Sequence, residues 1–175
     1  LEDFYGSLGE IYKDNVDSIM CESMSSIFEG SNASKVAKEF SERVWLSWTN
    51  RGHQPDQLPS TEALSKAVDF SIEADVECTL INCSHADMAS NSIKELKRAS
   101  RFGIFANSST FKEVDLSIAT KDVDAIHHLN SNKISAKEYA MIALSWVKEG
   151  AFVVGGCCGT TVEHTREIKL LMDSL

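Results

Sequence analysis

Several features that would assign this sequence to a large class of proteins are missing from it. No segment approaches the roughly 18 consecutive apolar residues of a membrane-spanning helix. The first residues, Leu1 to Tyr5, show neither the basic start nor the apolar stretch of a secretory signal. Positive charge is scarce, since 17 Lys and Arg face 26 Asp and Glu and leave a net charge of −9. Nucleic acids and anionic membranes attract basic surfaces, so we expect neither as a partner.

The sequence also lacks repeats, low-complexity tracts and a linker. Its 175 residues, of which 43% are hydrophobic, predict one domain over residues 1–175. Five cysteines are an odd number for a disulfide framework, which favours a reducing compartment, the cytoplasm by default, and metal-binding or catalytic thiols. An initiator methionine is absent, so we expect a chain that has been processed or trimmed.

Short apolar runs alternate with amphipathic segments along the chain. The runs predict strands at residues 16–21, 44–49, 76–82, 102–106 and 152–155. The amphipathic segments predict helices at residues 4–13, 26–41, 61–74, 87–100, 135–149 and 161–174. Residues 108–132 are polar and irregular and are expected to form a long loop. Strands separated by helices pair in parallel, which predicts an α/β fold.

Polar or thiol side chains stand at the carboxyl end of each predicted strand. They are Glu22, Ser47 with Thr49, Asn82 with Cys83, Asn107, and Cys157 with Cys158. In a β/α barrel the carboxyl ends of the strands form the rim at which active sites are built, whereas the opposite rim serves stability. The repetition of this pattern at five strand ends predicts a site at that rim.

The segment Gly155-Gly-Cys-Cys-Gly159 is the most informative motif of the sequence. Neighbouring residues of a regular strand point to opposite faces, but flanking glycines reach backbone conformations that can aim both sulfurs at one point. Together with Cys83 from another strand end, three thiolates suit a tetrahedral zinc ion with one coordination position open for chemistry. The alternatives are a buried pair of small side chains or a vicinal disulfide for Cys157 and Cys158, and an ordinary core cysteine for Cys83.

These residues resemble the zinc-dependent homocysteine S-methyltransferases. Residues 155–164, GGCCGTTVEH, resemble the family signature GGCCGTTPEH, and Asn82-Cys83 resembles the NC that supplies the other zinc cysteine. Weaker matches are Asp17 to Ser23 with D-x-x-x-x-E-T, Trp45 to Thr49 with W-x-S-x-T, and Phe105 to Ser108 with Y-x-N-[SG]. The matches run in the family's order over nearly the whole chain. Val162 in place of proline and the stretch from Asn50 to Ser60 depart from the pattern.

The resemblance implies a TIM barrel of the (β/α)8 type, of which this chain would carry strands 4 to 8. The first three strands, with an aspartate-glycine segment that helps to bind homocysteine, would lie in on the order of 100 residues before Leu1. We therefore expect that the chain alone is not a soluble, active monomer, because the edges of its sheet would be open.

The resemblance also implies a site and a reaction. Zinc would be held by Cys83, Cys157 and Cys158, and the substrates would be homocysteine and a small methyl donor, with methionine as the product. Glu22 would contact the amino group of homocysteine, and Asn82 and Asn107 would shape the site or contact the substrate. No catalytic residue beyond the zinc site is predicted.

Two other functions stay open at this point. One is a barrel remnant that binds zinc or thiols without catalysis and acts in regulation, and the other is a redox protein that uses Cys157 and Cys158 without a metal. Relatives use S-methylmethionine, S-adenosylmethionine, betaine or methylated cobalamin as the methyl donor, and the first two are favoured weakly, because no appended cobalamin- or folate-binding domain is seen in this sequence. Self-association is left open.

The five histidines receive no role in the predicted chemistry. His53 and His85 are placed on loops at the rim, where either could approach the site. His127 and His128 are placed in the polar loop. His164, in the first turn of the last helix, is expected to pack or to cap that helix.

Overall fold

The computed structural model describes residues 1–52, 54–110 and 133–174. Within these ranges five strands form one sheet and lie side by side in chain order. The strands are β1 (Ile19–Met24), β2 (Val44–Trp48), β3 (Cys78–His85), β4 (Phe102–Asn107) and β5 (Val153–Gly156). The helices of the described ranges are α1 (Glu2–Tyr12), α2 (Ile27–Phe40), α3 (Leu64–Glu73), α4 (Ala86–Asn91), α5 (Ile93–Leu96), α6 (Ala136–Lys148) and α7 (Val162–Met172).

All neighbouring strands of the sheet run parallel, which confirms the predicted α/β class. β1 and β5 form the two edges of the described sheet. The first strand begins at Ile19 rather than at residue 16, because pairing with β2 starts at Ile19 and Val16 remains exposed. No helix in the described ranges combines the length and the apolar character that a membrane crossing requires.

The helix predicted at residues 87–100 is divided into α4 and α5 at Ser92. The Ser92 hydroxyl donates to the carbonyl of Pro55 at 2.9 Å and accepts a hydrogen bond from the Asn50 amide at 3.1 Å. Asn50 also donates directly to Pro55 at 2.8 Å. These bonds tie the loop between β2 and α3 to the start of α5, so the loop is held at the carboxyl rim of the sheet.

Strands and helices share one apolar core. Burying one large aliphatic side chain stabilises a fold by about 1.5–3 kcal/mol. The core contains many such side chains, among them the fully buried Leu46, Leu64, Val68, Ile81 and Ile104.

Trp48 joins β2 to two helices. Its ring packs on Gly30 of α2, where a Cβ atom would overlap the ring, and its Nε1 donates to Ser71 of α3 at 3.0 Å.

The rim formed by the amino ends of the strands carries a cluster of ion pairs. The Glu77 carboxylate accepts from Arg43 at 3.1 Å, from Trp45 Nε1 at 2.8 Å and from Arg101 at 3.2 Å. The guanidinium of Arg101 also lies 4.7 Å from the ring centre of Phe152. The hydrogen bonds from Arg43 and then Trp45 hold the pKa of Glu77 below its usual value. These contacts link β2, β3, β4 and β5 on the side away from the predicted site, as a stabilising rim should.

Candidate metal and substrate site

Three cysteines meet at the carboxyl rim of the sheet. Cys83 comes from the end of β3, and Cys157 and Cys158 directly follow β5. The Sγ atoms of Cys83 and Cys158 are 3.6 Å apart, those of Cys157 and Cys158 are 4.0 Å apart, and all three sulfurs lie within 4.8 Å of one another. Among the described residues this is the group whose geometry could hold a metal ion.

Hydrogen bonds to β4 hold the Cys157-Cys158 pair in place. The Cys157 N–H donates to the carbonyl of Ala106 at 2.8 Å, and the Cys158 N–H donates to Asn107 Oδ1 at 3.1 Å. The Cys158 carbonyl accepts from the N–H of Ser108 at 3.0 Å. Asn107, which is almost fully buried, therefore fixes the turn that presents both sulfurs.

The glycines around the pair act in two different ways. Gly159 has a φ of +77°, so it supplies the left-handed conformation that the sequence predicted. Gly156 is required by space instead, since a Cβ atom there would lie 2.5 Å from the side chain of Thr160. Thr160 in turn donates its hydroxyl to the Cys157 carbonyl at 2.7 Å. Close packing, and not only backbone freedom, thus explains the glycines of this motif.

A β-bulge presents Cys83. The pairing of β3 with β4 is irregular between Asn82 and His85, and Cys83 has a φ of +52°. A second bulge lies in β1, where Ser23 has a φ of +62° beside Glu22. Such left-handed residues cost on the order of 1–3 kcal/mol each and persist where their surroundings hold them. Neither bulge could be predicted from the local sequence, because serine and cysteine are not typical of this conformation.

The proximity of the thiols perturbs their acidity. The pKa of Cys157 falls to about 6, chiefly because the Cys83 thiol donates a hydrogen bond to the Cys157 thiolate. The same interaction raises the pKa of Cys83, and burial raises the pKa of Cys158. One thiolate therefore forms readily, and its charge opposes ionisation of the other two. A cation placed among the sulfurs would relieve that repulsion.

The sulfur separations fit the metal that the sequence implied. With zinc–sulfur bonds of about 2.3 Å, two ligands of a tetrahedral zinc ion lie about 3.8 Å apart. The separations of 3.6 and 4.0 Å lie on either side of that distance. Three thiolates are soft ligands that favour zinc over harder cations, and three protein ligands leave the fourth position to a substrate.

Glu22 and Asn82 form the second part of the site. Glu22 is exposed at the β1 bulge, and its Oε1 accepts a hydrogen bond from Asn82 Nδ2 at 3.2 Å. The negative charge of Glu22 opposes ionisation of Cys157, but its effect on the pKa of Cys157 is smaller than that of the Cys83 hydrogen bond. Asn82 of β3 is fully buried, and its Oδ1 accepts hydrogen bonds from Ser23 of β1 and Ser47 of β2. The predicted contacts of Glu22, Asn82 and Asn107 with substrate stay predictions.

Tyr139 is a residue near the site that sequence reasoning missed. This fully buried residue of α6 places its hydroxyl 2.7 Å from the carbonyl of Ala106 and 2.8 Å from that of Gly155. It thereby braces the ends of β4 and β5 immediately below the cysteine pair. Burial raises its pKa. A tyrosine within an amphipathic helix gives no sign of this role, since only the tertiary fold brings it under the rim.

The described histidines have structural contacts. His164 caps α7, because its Nδ1 accepts the N–H of Thr161 at 3.1 Å, as predicted. His85 Nδ1 lies 2.8 Å from the hydroxyl of Ser109. The predictions for His53, His127 and His128, and most of the predicted loop at 108–132, lie outside the described residues.

Comparison with known proteins decides the family. The family model described as homocysteine S-methyltransferase matches residues 1–172. The chain belongs to the homocysteine S-methyltransferase family. Among curated proteins it is similar to the homocysteine S-methyltransferase YbgG of Bacillus subtilis (strain 168), with 25% identity over 162 residues, which are 91% of this chain and 48% of YbgG.

Solved structures of the homocysteine methyltransferase MmuM from Escherichia coli share the fold. The apo form matches with a TM-score of 0.68 and 17% identity over 97% of this chain and 57% of that chain. The metallated form matches with a TM-score of 0.68 and 17% identity, covering 98% of this chain and 52% of that chain. These neighbours are TIM barrels, so the predicted fold class is confirmed for the described α/β sheet. The chain spans about half the length of the relatives that it matches.

Proposed function

We propose that the protein containing this chain transfers a methyl group from a small donor to the thiol of L-homocysteine and so produces methionine. The observation that carries the proposal is the cluster of three cysteine sulfurs at the carboxyl rim, together with the Glu22 carboxylate, whose charge acts on Cys157. Family membership supports the same reaction. Because the chain spans about half of its relatives, the activity is proposed for the whole protein.

Cys83, Cys157 and Cys158 are the residues that would hold zinc. When bound, zinc supplies the Lewis acidity that keeps a substrate thiol deprotonated at neutral pH. The two hydrogen bonds from the Cys157 and Cys158 amides to β4 and the bulge at Cys83 hold the backbone that carries the three sulfurs. Such preorganisation avoids an ordering cost during binding.

Glu22 would accept a hydrogen bond from the ammonium group of homocysteine, which orients the substrate with its sulfur towards the cysteines. In the transfer itself, the homocysteine sulfur forms a bond to the methyl carbon while the bond from that carbon to the donor breaks, and the bonding electron pair leaves with the donor. A sulfonium donor such as S-methylmethionine or S-adenosylmethionine leaves as a neutral thioether. Once the thiol is deprotonated, no side chain needs to move a further proton.

The test uses the full-length protein, in which zinc content and methyl transfer are measured together. We expect about one zinc per chain and methionine formation with S-methylmethionine or S-adenosylmethionine. Replacement of Cys83 by alanine should lower zinc content sharply and abolish turnover, since only two of the three thiolates remain. The buried Cys78, replaced by alanine, is the matched control and should leave zinc content unchanged. Near-stoichiometric zinc in the Cys83→Ala protein would remove Cys83 from the site.

A second candidate function is a thiol-based regulatory or redox role of the same cysteines. The separation of 3.6 Å between the sulfurs of Cys83 and Cys158, and the lowered pKa of Cys157, favour it. In that case the full-length protein would lack zinc and methyltransferase activity, and its thiols would react reversibly with oxidants. A cytoplasmic location, homo-oligomer formation and one domain over residues 1–175 stay predictions.

A further inference from the structure

The side chain of Asn82 is fully buried and uses its whole hydrogen-bonding capacity within the protein. Its Nδ2 donates to Glu22 Oε1 at 3.2 Å and to Ser23 Oγ at 2.7 Å. Its Oδ1 accepts from the Ser23 N–H at 3.0 Å and from Ser47 Oγ at 2.7 Å. A primary amide offers two donor hydrogens and two acceptor lone pairs, so all four are occupied.

The partners of Asn82 also fix the direction in which its amide faces. A backbone N–H can only donate, so the oxygen must face Ser23 N. A carboxylate can only accept, so the nitrogen must face Glu22. Rotating the amide by half a turn would break both contacts. The orientation is therefore determined by chemistry, and it aims one N–H of Asn82 at the Glu22 carboxylate.

Asn82 connects the two bulges that build the site. It immediately precedes Cys83 in the β3 bulge and binds both the backbone and the hydroxyl of Ser23 in the β1 bulge. Glu22 is itself exposed, and a lone carboxylate on the surface would sample several rotamers. The hydrogen bond from Asn82 restricts that freedom and couples the carboxylate to the strand end that carries Cys83.

We propose that Asn82 is a positioning residue, which acts on homocysteine through Glu22 and does not itself contact the substrate. This inference rests on the proposed function. It changes the role predicted for Asn82, because a buried amide with four partners has nothing left to offer a ligand. The substrate-binding group is the Glu22 carboxylate, and Asn82 sets its orientation.

The test compares two asparagine-to-aspartate variants of the full-length protein. In Asn82→Asp both donated hydrogen bonds are lost and a second carboxylate faces Glu22, so the KM for homocysteine should rise about tenfold or more, with zinc retained. Asn50→Asp is the control, because Asn50 is buried at the same rim but donates to Pro55 and Ser92 instead. Both variants should lose thermal stability, but only Asn82→Asp should raise KM.

A double variant checks that Asn82 acts through Glu22. Glu22→Gln combined with Asn82→Asp should show the same KM as Glu22→Gln alone, since the group to be oriented is already gone. An unchanged KM in Asn82→Asp, or additive increases in the double variant, would overturn the positioning role. If wild-type protein bound no homocysteine in calorimetry, the proposed function and this inference would both be refuted.

A measurement on folded protein covers the case in which Asn82→Asp does not fold. The side-chain amide protons of Asn82 should exchange slowly with solvent, because both are buried and bonded. Their NMR signals should shift when Glu22 is replaced by glutamine. Rapid exchange, or signals that do not respond to that change, would contradict the proposal.

Discussion

The replacement of Glu22 by glutamine separates substrate binding from metal binding. The two side chains have nearly the same shape, and the glutamine Oε1 can still accept the hydrogen bond from Asn82 Nδ2 that is 3.2 Å long in the wild type. What changes is the group offered to the ammonium of homocysteine, because a carboxylate oxygen is replaced by a neutral amide. A hydrogen bond between charged groups contributes about 1.5–3 kcal/mol. At about 1.4 kcal/mol per factor of ten, the KM for homocysteine should rise by roughly 10- to 150-fold.

Zinc content in this variant should match that of the wild type, because Glu22 lies outside the three-cysteine group that could hold the metal. The assay measures steady-state methyl transfer in the full-length protein with homocysteine as the varied substrate, together with metal analysis of the same sample. Glu29→Gln is a matched control, since the Glu29 carboxylate in the first turn of α2 accepts from the Ser25 N–H at 2.9 Å. An unchanged KM in Glu22→Gln, or an equal rise in Glu29→Gln, would refute the assignment of Glu22 to the substrate ammonium.

Two further predictions concern the turn at Cys157 and Cys158 and the Glu77 cluster at the amino ends of the strands. Gly156→Ala should lower zinc occupancy, because the added Cβ displaces Thr160 and breaks its 2.7 Å hydrogen bond to the Cys157 carbonyl; full occupancy by metal analysis would show that the turn adapts. Glu77→Gln should lower the melting temperature at pH 7, since the lowered pKa of Glu77 means that its ionised form stabilises the folded state. That contribution is present above the unfolded carboxyl pKa of about 4.3 and disappears as the pH falls through the lower folded value, so the melting temperatures of variant and wild type should converge in acid. A melting-temperature difference between variant and wild type that grows as the pH falls would contradict a stabilising role of ionised Glu77.

The amino-acid sequence determined the fold class and indicated which cysteines come together as a group that could hold a metal ion. Alternating apolar runs and amphipathic segments can only be buried together as a parallel sheet covered by helices, and the five strands follow this pattern. The carboxyl ends of parallel strands lie along one rim of the sheet. Cys83, Cys157 and Cys158 could therefore be placed together from their positions at the ends of predicted strands alone. The capping role of His164 was likewise visible, because it depends on residues three positions apart.

The tertiary structure decided how these residues are held. The bulges at Ser23 and Cys83 depend on contacts between strands, and Asn82 meets Ser23 and Ser47 across 59 and 35 positions of sequence. Nothing local to Asn82 distinguishes a side chain that binds substrate from one that is fully engaged by its neighbours. The same holds for Tyr139, whose hydroxyl reaches two strand ends from a helix. Local patterns fix which residues reach the rim, whereas hydrogen bonds between distant segments fix their orientation, and those bonds form only when the chain is folded.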